Sequence, residues 1–164
     1  MKFVSIIIGS KSDFDVMKSC ADTFEAFGVS YELIISSAHR SPERTKEYIA
    51  SAEKKGAQVF IAAAGMAAHL AGVLASKTVK PIIGVPMSAS ALNGIDALLS
   101  TVQMPAGMPV ATVAIGKAGA INSAYLAMQI LALDDEDLSV KLKEDRIAKA
   151  KNVEMDSMEI ETIL

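Results

Sequence analysis

Runs that are apolar nearly throughout, without the alternation of a half-exposed strand, recur along this chain. Each is followed by a stretch of helical spacing. Residues 3–8, 31–35, 59–63, 82–85 and 110–115 are such runs. A strand buried on one face reads apolar and polar in turn, whereas a strand covered on both faces loses that alternation. The runs therefore predict a parallel sheet with helices above and below it.

The stretches between them supply the helices. Val16, Cys20, Phe24 and Phe27 recur at spacings of three and four in residues 12–27, and Gly28 ends that helix. Ser41 and Pro42 suit the N-cap and first turn of the next, which Tyr48, Ile49 and Ala52 make apolar on one side and Gly56 closes. Further helices are expected over 67–77, 91–102 and 118–131. Short strand–helix units joined by right-handed crossovers give a doubly wound sheet of about five strands in a three-layer α/β sandwich. Such sheets bind ligands beyond the carboxyl ends of their strands, near the switch point of strand order. That rule points to the loops beginning at Gly9, Ser36, Gly65, Pro86 and Gly116.

At 164 residues, the chain is expected to form one domain. A charged C-terminal helix over about 134–152 carries only a thin stripe of Leu138, Leu142 and Ala148. That stripe either docks on a neighbouring subunit or belongs to a solvated surface helix. Asp134, Asp135, Glu136 and Asp137 stand at its start, where the helix dipole favours negative charge. Residues 153–164 read as a loose tail.

A formal net charge of −3 argues against a general nucleic-acid binder. Residues 4–8 are too short for a signal core, and the run over 59–74 is broken by Gly65, His69 and Gly72, so neither an export signal nor a membrane span is expected. The single cysteine, Cys20, lies on an apolar helix face and reads as a buried structural thiol, which suits a reducing compartment such as the cytoplasm. The apolar share of 51%, largely small and aliphatic side chains, points to subunit contacts.

Four segments hold groups suited to chemistry. Gly9 to Asp13 pairs a tight turn with the hydroxyls of Ser10 and Ser12 at a helix start. It can cradle an anion, with Asp13 taking ribose hydroxyls, or it can simply cap the helix. Ser37 to Pro42 sets His39, a proton donor and acceptor near neutral pH, beside Arg40, whose forked donors suit phosphate. The other reading there is a surface loop with a capping serine. In residues 64–70, Gly65 permits close backbone approach, Ala68 sits in a small-residue wall, and His69 either lines a pocket or is satisfied by neighbouring backbone. In residues 103–107, Met104 belongs to a rigid loop that walls a pocket or merely connects. Two histidines and one cysteine argue against a common zinc site, and no nucleophile triad can be read from spacing.

Taken together these segments resemble one family. Gly-Ser-Lys-Ser-Asp at 9–13, Ser-Ala-His-Arg-Ser-Pro at 37–42, Ala-Gly-Met-Ala-Ala-His-Leu at 64–70, Gly-Val-Pro at 84–86 and Gln-Met-Pro-Ala-Gly at 103–107 look like the 5-(carboxyamino)imidazole ribonucleotide mutases of bacterial purine synthesis, a class of the aminoimidazole ribonucleotide carboxylase family. The likeness runs from about residue 3 to residue 133. It implies a flavodoxin-like fold and an isomerase that moves a carboxylate from the exocyclic nitrogen of a ribonucleotide to its ring carbon through enclosed carbon dioxide. It also implies no metal or organic cofactor, and a cytoplasmic homo-octamer. By the same resemblance His39 shuttles the proton, and Ser10, Asp13 and Arg40 bind the ribose phosphate, with Ser12, Ser37, Gly65, Ala68, His69 and Met104 completing the substrate site. A sister class carboxylates the free amine directly. It tends to carry Lys after the histidine, so Arg40 and residues 65–70 favour the mutase. A departure is Ala71, where many relatives have Pro. A non-catalytic flavodoxin-like binding module fits the strand pattern too, but 5% aromatics leave little to stack on a flavin.

Overall fold

The computed structural model describes residues 2–161. Two compact units divide the chain, Met1–Ala127 and Met128–Leu164. The elements run β1 (Phe3–Ile8), a 3-10 turn (Lys11–Asp13), α1 (Phe14–Phe27), β2 (Tyr31–Ile35), α2 (Pro42–Lys55), β3 (Ala57–Gly65), α3 (Leu70–Ala75), β4 (Ile82–Met87), α4 (Ile95–Val102), β5 (Ala111–Thr112), α5 (Lys117–Leu131) and α6 (Glu136–Glu161).

The five strands form one parallel sheet in the order β2-β1-β3-β4-β5. This is the doubly wound, flavodoxin-like α/β sandwich. Its register sets Val4 beside Tyr31, Ile6 beside Ile61, Ala63 beside Val85 and Ile83 beside Ala111. Alternate residues of a strand face opposite layers, and both layers here are apolar. Ile7, Phe60, Ala62 and Ile82 gather under Ile49 and Ala52 of α2 and Leu70 and Leu74 of α3. Across the sheet α1 meets α5: the Cys20 thiol receives a hydrogen bond from Ser123 at 3.5 Å, and Phe27 sets its ring edge-on to Tyr125. Cys20 is fully buried, and burial pushes its thiol up to about 12, so it stays protonated and inert as expected.

Several boundaries differ from the sequence reading. α4 starts at Ile95 rather than residue 91, because Asn93 (φ 52°) and Gly94 (φ 86°) are both left-handed and stop a helix from forming earlier. α3 is confined to Leu70–Ala75 rather than 67–77; before it the His69 N–H bonds back to the Ala67 carbonyl at 2.8 Å, a tight turn rather than a helical one. β3 extends to Gly65 and β4 through Pro86 to Met87. Proline fits there because β5 pairs with β4 only at Ile83 and Gly84, so no sheet neighbour needs its missing N–H. β5 shrinks to Ala111–Thr112, an edge strand with one neighbour.

In the second unit, α6 opens with the Asp135 carboxylate accepting the Leu138 backbone N–H at 3.0 Å, and Glu136 and Asp137 lie in its first turn. It continues to Glu161, nine residues past the expected end at 152, so most of the expected tail is helical. The last three residues of that tail, 162–164, lie outside the described residues. No helix among the described residues is long and apolar enough to cross a membrane.

Candidate active site

The strand order reverses between β1 and β3: the chain leaves β1 toward β2 on one side and returns to β3 on the other. Loops diverging from that point leave a crevice. A cleft of about 550 Å³ lies there, walled by the turns after β1, β2 and β3 and by Ala89 beyond β4. The turn after the first strand and the turn after the second thus open onto the same space.

The first turn is held by Gly9, whose N–H reaches the Ala63 carbonyl at 3.0 Å, and by Ser10, the N-cap of the 3-10 turn. Ser10 Oγ accepts the Ser12 backbone N–H at 3.4 Å and the Ser12 hydroxyl at 3.0 Å. Capping is therefore real, and it leaves both hydroxyls on the cleft wall. Asp13 also lines the cleft, although only 4% exposed. Burial raises its carboxyl above the ordinary range, while a hydrogen bond from the Ser10 backbone works in the opposite direction. A carboxylate in so dry a place gains from hydroxyl donors such as a ribose diol.

The second turn is braced by serine. Ser41 caps α2 differently from the sequence expectation: its hydroxyl turns back to Ser37, accepting that residue's N–H at 3.0 Å and donating to its carbonyl at 3.1 Å. Ser37 Oγ accepts the Arg40 backbone N–H at 3.2 Å, and beneath them Ser36 and Thr45 share a buried hydroxyl pair at 2.7 Å. His39 and Arg40 project from this scaffold, both exposed on the cleft. Arg40 Nη2 donates to the Gly9 carbonyl at 3.3 Å, which ties the second turn to the first and leaves other donors of the fork for a ligand anion.

The third turn brings His69 to His39. Their rings lie 4.8 Å apart and perpendicular, at 87°, with His39 Nε2 and His69 Nδ1 at 2.7 Å. Gly65 lines the cleft and also has a packing reason to be glycine: a Cβ would stand 2.7 Å from that of Ala89, so the glycine lets the loop after β4 pack against the end of β3. The left-handed residue is Met66 (φ 57°), on the cleft rim, a position where a glycine would be free of strain.

Eight of the ten expected site residues line one cleft: Ser10, Ser12, Asp13, Ser37, His39, Arg40, Gly65 and His69. Two do not. Ala68 is 2% exposed and lies behind the wall, since the chain turns there to seat Leu70 in the core. Met104 packs its sulfur over Gly72, where a Cβ would meet it at 3.3 Å. Of the alanines around Gly65, Ala64 and Ala67 face the cleft, whereas Ala63 is buried. Ala89 was not singled out from the sequence, although the loop starting at Pro86 was. Among the described residues no three His, Cys, Asp or Glu side chains stand close enough together to hold a metal ion.

Residues 3–152 match the family model described as AIR carboxylase. The chain is 54% identical over 143 residues to the N5-carboxyaminoimidazole ribonucleotide mutase of Bacillus subtilis, covering 87% of this chain and 88% of that protein. It is 49% identical over 150 residues to the protein of the same name from Escherichia coli K12, covering 92% and 89%. Among solved structures, that of Treponema denticola PurE superposes with a TM-score of 0.87 at 25% identity, covering 97% of this chain and 98% of that one.

Proposed function

The chain belongs to the AIR carboxylase family, and from that premise we propose that it is an isomerase of purine biosynthesis, acting as an N5-carboxyaminoimidazole ribonucleotide mutase. The observation that carries this reading beyond the family is the meeting of three turns on one cleft, with a histidine and an arginine on adjacent positions of the middle turn. Curated relatives of that name align over most of the chain.

On this reading the ribose phosphate sits at the first turn. The Ser10 hydroxyl and Arg40 offer donors to the phosphate, Ser12 orients Ser10 by donating to its oxygen, and Asp13 accepts from the ribose. The imidazole ring then faces His39. Loss of the carbamate carboxylate frees carbon dioxide and leaves an amine nitrogen that takes up a proton. Attack of the neighbouring ring carbon on that carbon dioxide then requires the ring proton to leave. His39 gives the first proton and takes the second, so the histidine ends as it began. Ala64, Ala67 and Gly65 form a wall without polar side chains beside the ring, suited to holding carbon dioxide between the two steps. Ser37 braces the His39 turn from below.

The proposal extends to a cytoplasmic enzyme that needs no metal or organic cofactor, in which residues 1–164 serve as one functional domain. It also extends to a homo-octamer. In its support, Leu92, Ile95, Leu99 and Val102 are 62%, 53%, 56% and 44% exposed and recur at spacings of three and four along α4 and the turn before it, an apolar face of the kind subunit contacts cover.

The activity is tested by offering the carbamate nucleotide in bicarbonate-free buffer: a mutase converts it, whereas a direct carboxylase acts on the free amine only once bicarbonate is supplied. Arg40→Ala is expected to raise KM about 10- to 100-fold, the worth of a charge-assisted hydrogen bond of roughly 1.5–3 kcal/mol, with kcat largely kept. Steady-state kinetics over a range of substrate concentrations check this, and an unchanged KM would remove Arg40 from the phosphate site.

A further inference from the structure

The two histidines come from turns 30 residues apart in sequence and share a hydrogen bond that spends one nitrogen of each ring. We propose that His69 is a positioning residue: it holds the His39 ring and keeps the proton of its Nε2 engaged, so that Nδ1 is the nitrogen that meets the substrate. The proposal deepens the reading of His39 as proton carrier and rests on it.

Both turns are stiff enough for this role. His69 is the N-cap of α3; its N–H reaches the Ala67 carbonyl at 2.8 Å and its carbonyl receives the Val73 N–H at 2.9 Å. Its neighbours Ala68 and Leu70 are each 2% exposed, which pins the backbone on either side while the imidazole stays on the cleft. The His39 turn is fixed by the Ser37–Ser41 brace.

A contact of 2.7 Å between two ring nitrogens needs one proton between them, and the hydrogen bond at one nitrogen of a histidine decides the role of the other. When His39 holds the substrate's proton, both its nitrogens carry hydrogen. Nε2–H must then donate to a bare Nδ1 on His69, and the transferable proton is on Nδ1. After His39 gives that proton up, the same Nε2–H bond persists and Nδ1 is the free base. Neither half of the cycle requires the pair to reorganise. In the opposite arrangement, with His69 Nδ1–H donating, His39 Nε2 has its lone pair occupied and Nδ1 already carries hydrogen, so the ring cannot act as a base without breaking the contact.

The test compares His69→Ala, His69→Gln and His69→Asn in the full-length enzyme, reading kcat, KM and affinity for the carboxylated product nucleotide by calorimetry. An asparagine amide lies close to the place of a histidine Nδ1, and a glutamine amide close to that of Nε2. Alanine and glutamine are expected to lower kcat about 10- to 100-fold, as removal of an orienting partner does, with KM and product affinity within about threefold. Asparagine is expected to restore kcat to within a few-fold of the parent. The side chain is exposed, so melting temperatures should stay close to the parent's. An alanine variant with parental kcat, a raised KM at unchanged kcat, or asparagine no better than alanine would each overturn the positioning role. If the parent enzyme itself fails to convert the carbamate nucleotide, the functional reading fails instead, and the two failures are told apart by that control.

Discussion

Replacing His39 with asparagine is expected to leave affinity for the product ribonucleotide within a few-fold of the parent and to lower turnover about 100- to 10,000-fold. The expectation follows from where the side chain sits. His39 is on the cleft wall but takes no part in the brace that shapes its turn, which runs through Ser37, Ser41 and Thr45. Asparagine keeps a polar group there and leaves the phosphate turn untouched. It cannot carry a proton at neutral pH, and both halves of the carboxylate transfer need one moved. Calorimetric binding and a steady-state assay on the same preparation check the two sides of the prediction. Near-parental turnover would take His39 out of the mechanism.

A loss of stability of about 2 kcal/mol or more is expected for Gly119→Ala. Helix propensity alone points the other way, because alanine is favoured over glycine inside a helix by about 1 kcal/mol. The packing decides the sign. A Cβ at residue 119 would run into the Ala114 carbonyl oxygen and stand 2.7 Å from its carbon. These are backbone atoms and cannot swing aside as a side chain would. Start of α5 and the segment leaving β5 would have to part, and Gly116 (φ 74°), whose N–H holds the Pro86 carbonyl at 2.9 Å, would move with them. Urea denaturation followed by circular dichroism measures the change; a variant as stable as the parent would contradict the clash between a side chain at 119 and the Ala114 carbonyl.

The parallel sheet and the end of it that carries the site were legible because the first follows from burial on both faces and the second from strand direction. The apolar runs that lack alternation gave the parallel sheet, and the sheet's switch point gave the cleft. Boundaries were less legible where backbone conformation, rather than apolar spacing, set them. Asn93-Gly94 is a dipeptide that favours left-handed backbone at both positions, and it delays α4 against an apolar spacing that runs on across it, whereas nothing in the sequence around Met66 announces its left-handed conformation. The end of α6 was misplaced for a related reason. The apolar stripe fades after Asn152, but residues such as Glu154, Met155 and Glu159 are good helix formers, and no glycine or proline intervenes to stop the helix before Glu161.

Within the site, each turn was read from its own residues, so contacts between turns went unseen. The hydrogen bond from Arg40 to Gly9 and the pairing of His39 with His69 depend on how three loops converge. Gly65 lines the cleft as expected of a residue near a ligand, and it also makes room for Ala89, a contact that its own loop does not reveal. Ala68 was expected in the small-residue wall of the pocket, but the entry into α3 turns it inward. Met104 follows β4 and α4, and its sulfur is taken up by the close packing at Gly72.

A crystal structure with the carboxylated imidazole ribonucleotide bound tests the account at its centre. The phosphate should lie against Ser10, Ser12 and the Arg40 guanidinium, with His39 Nδ1 directed at the ring carbon that bears the carboxylate. A nucleotide seated outside the cleft, or bound in it with its heterocycle turned away from His39, would contradict the account.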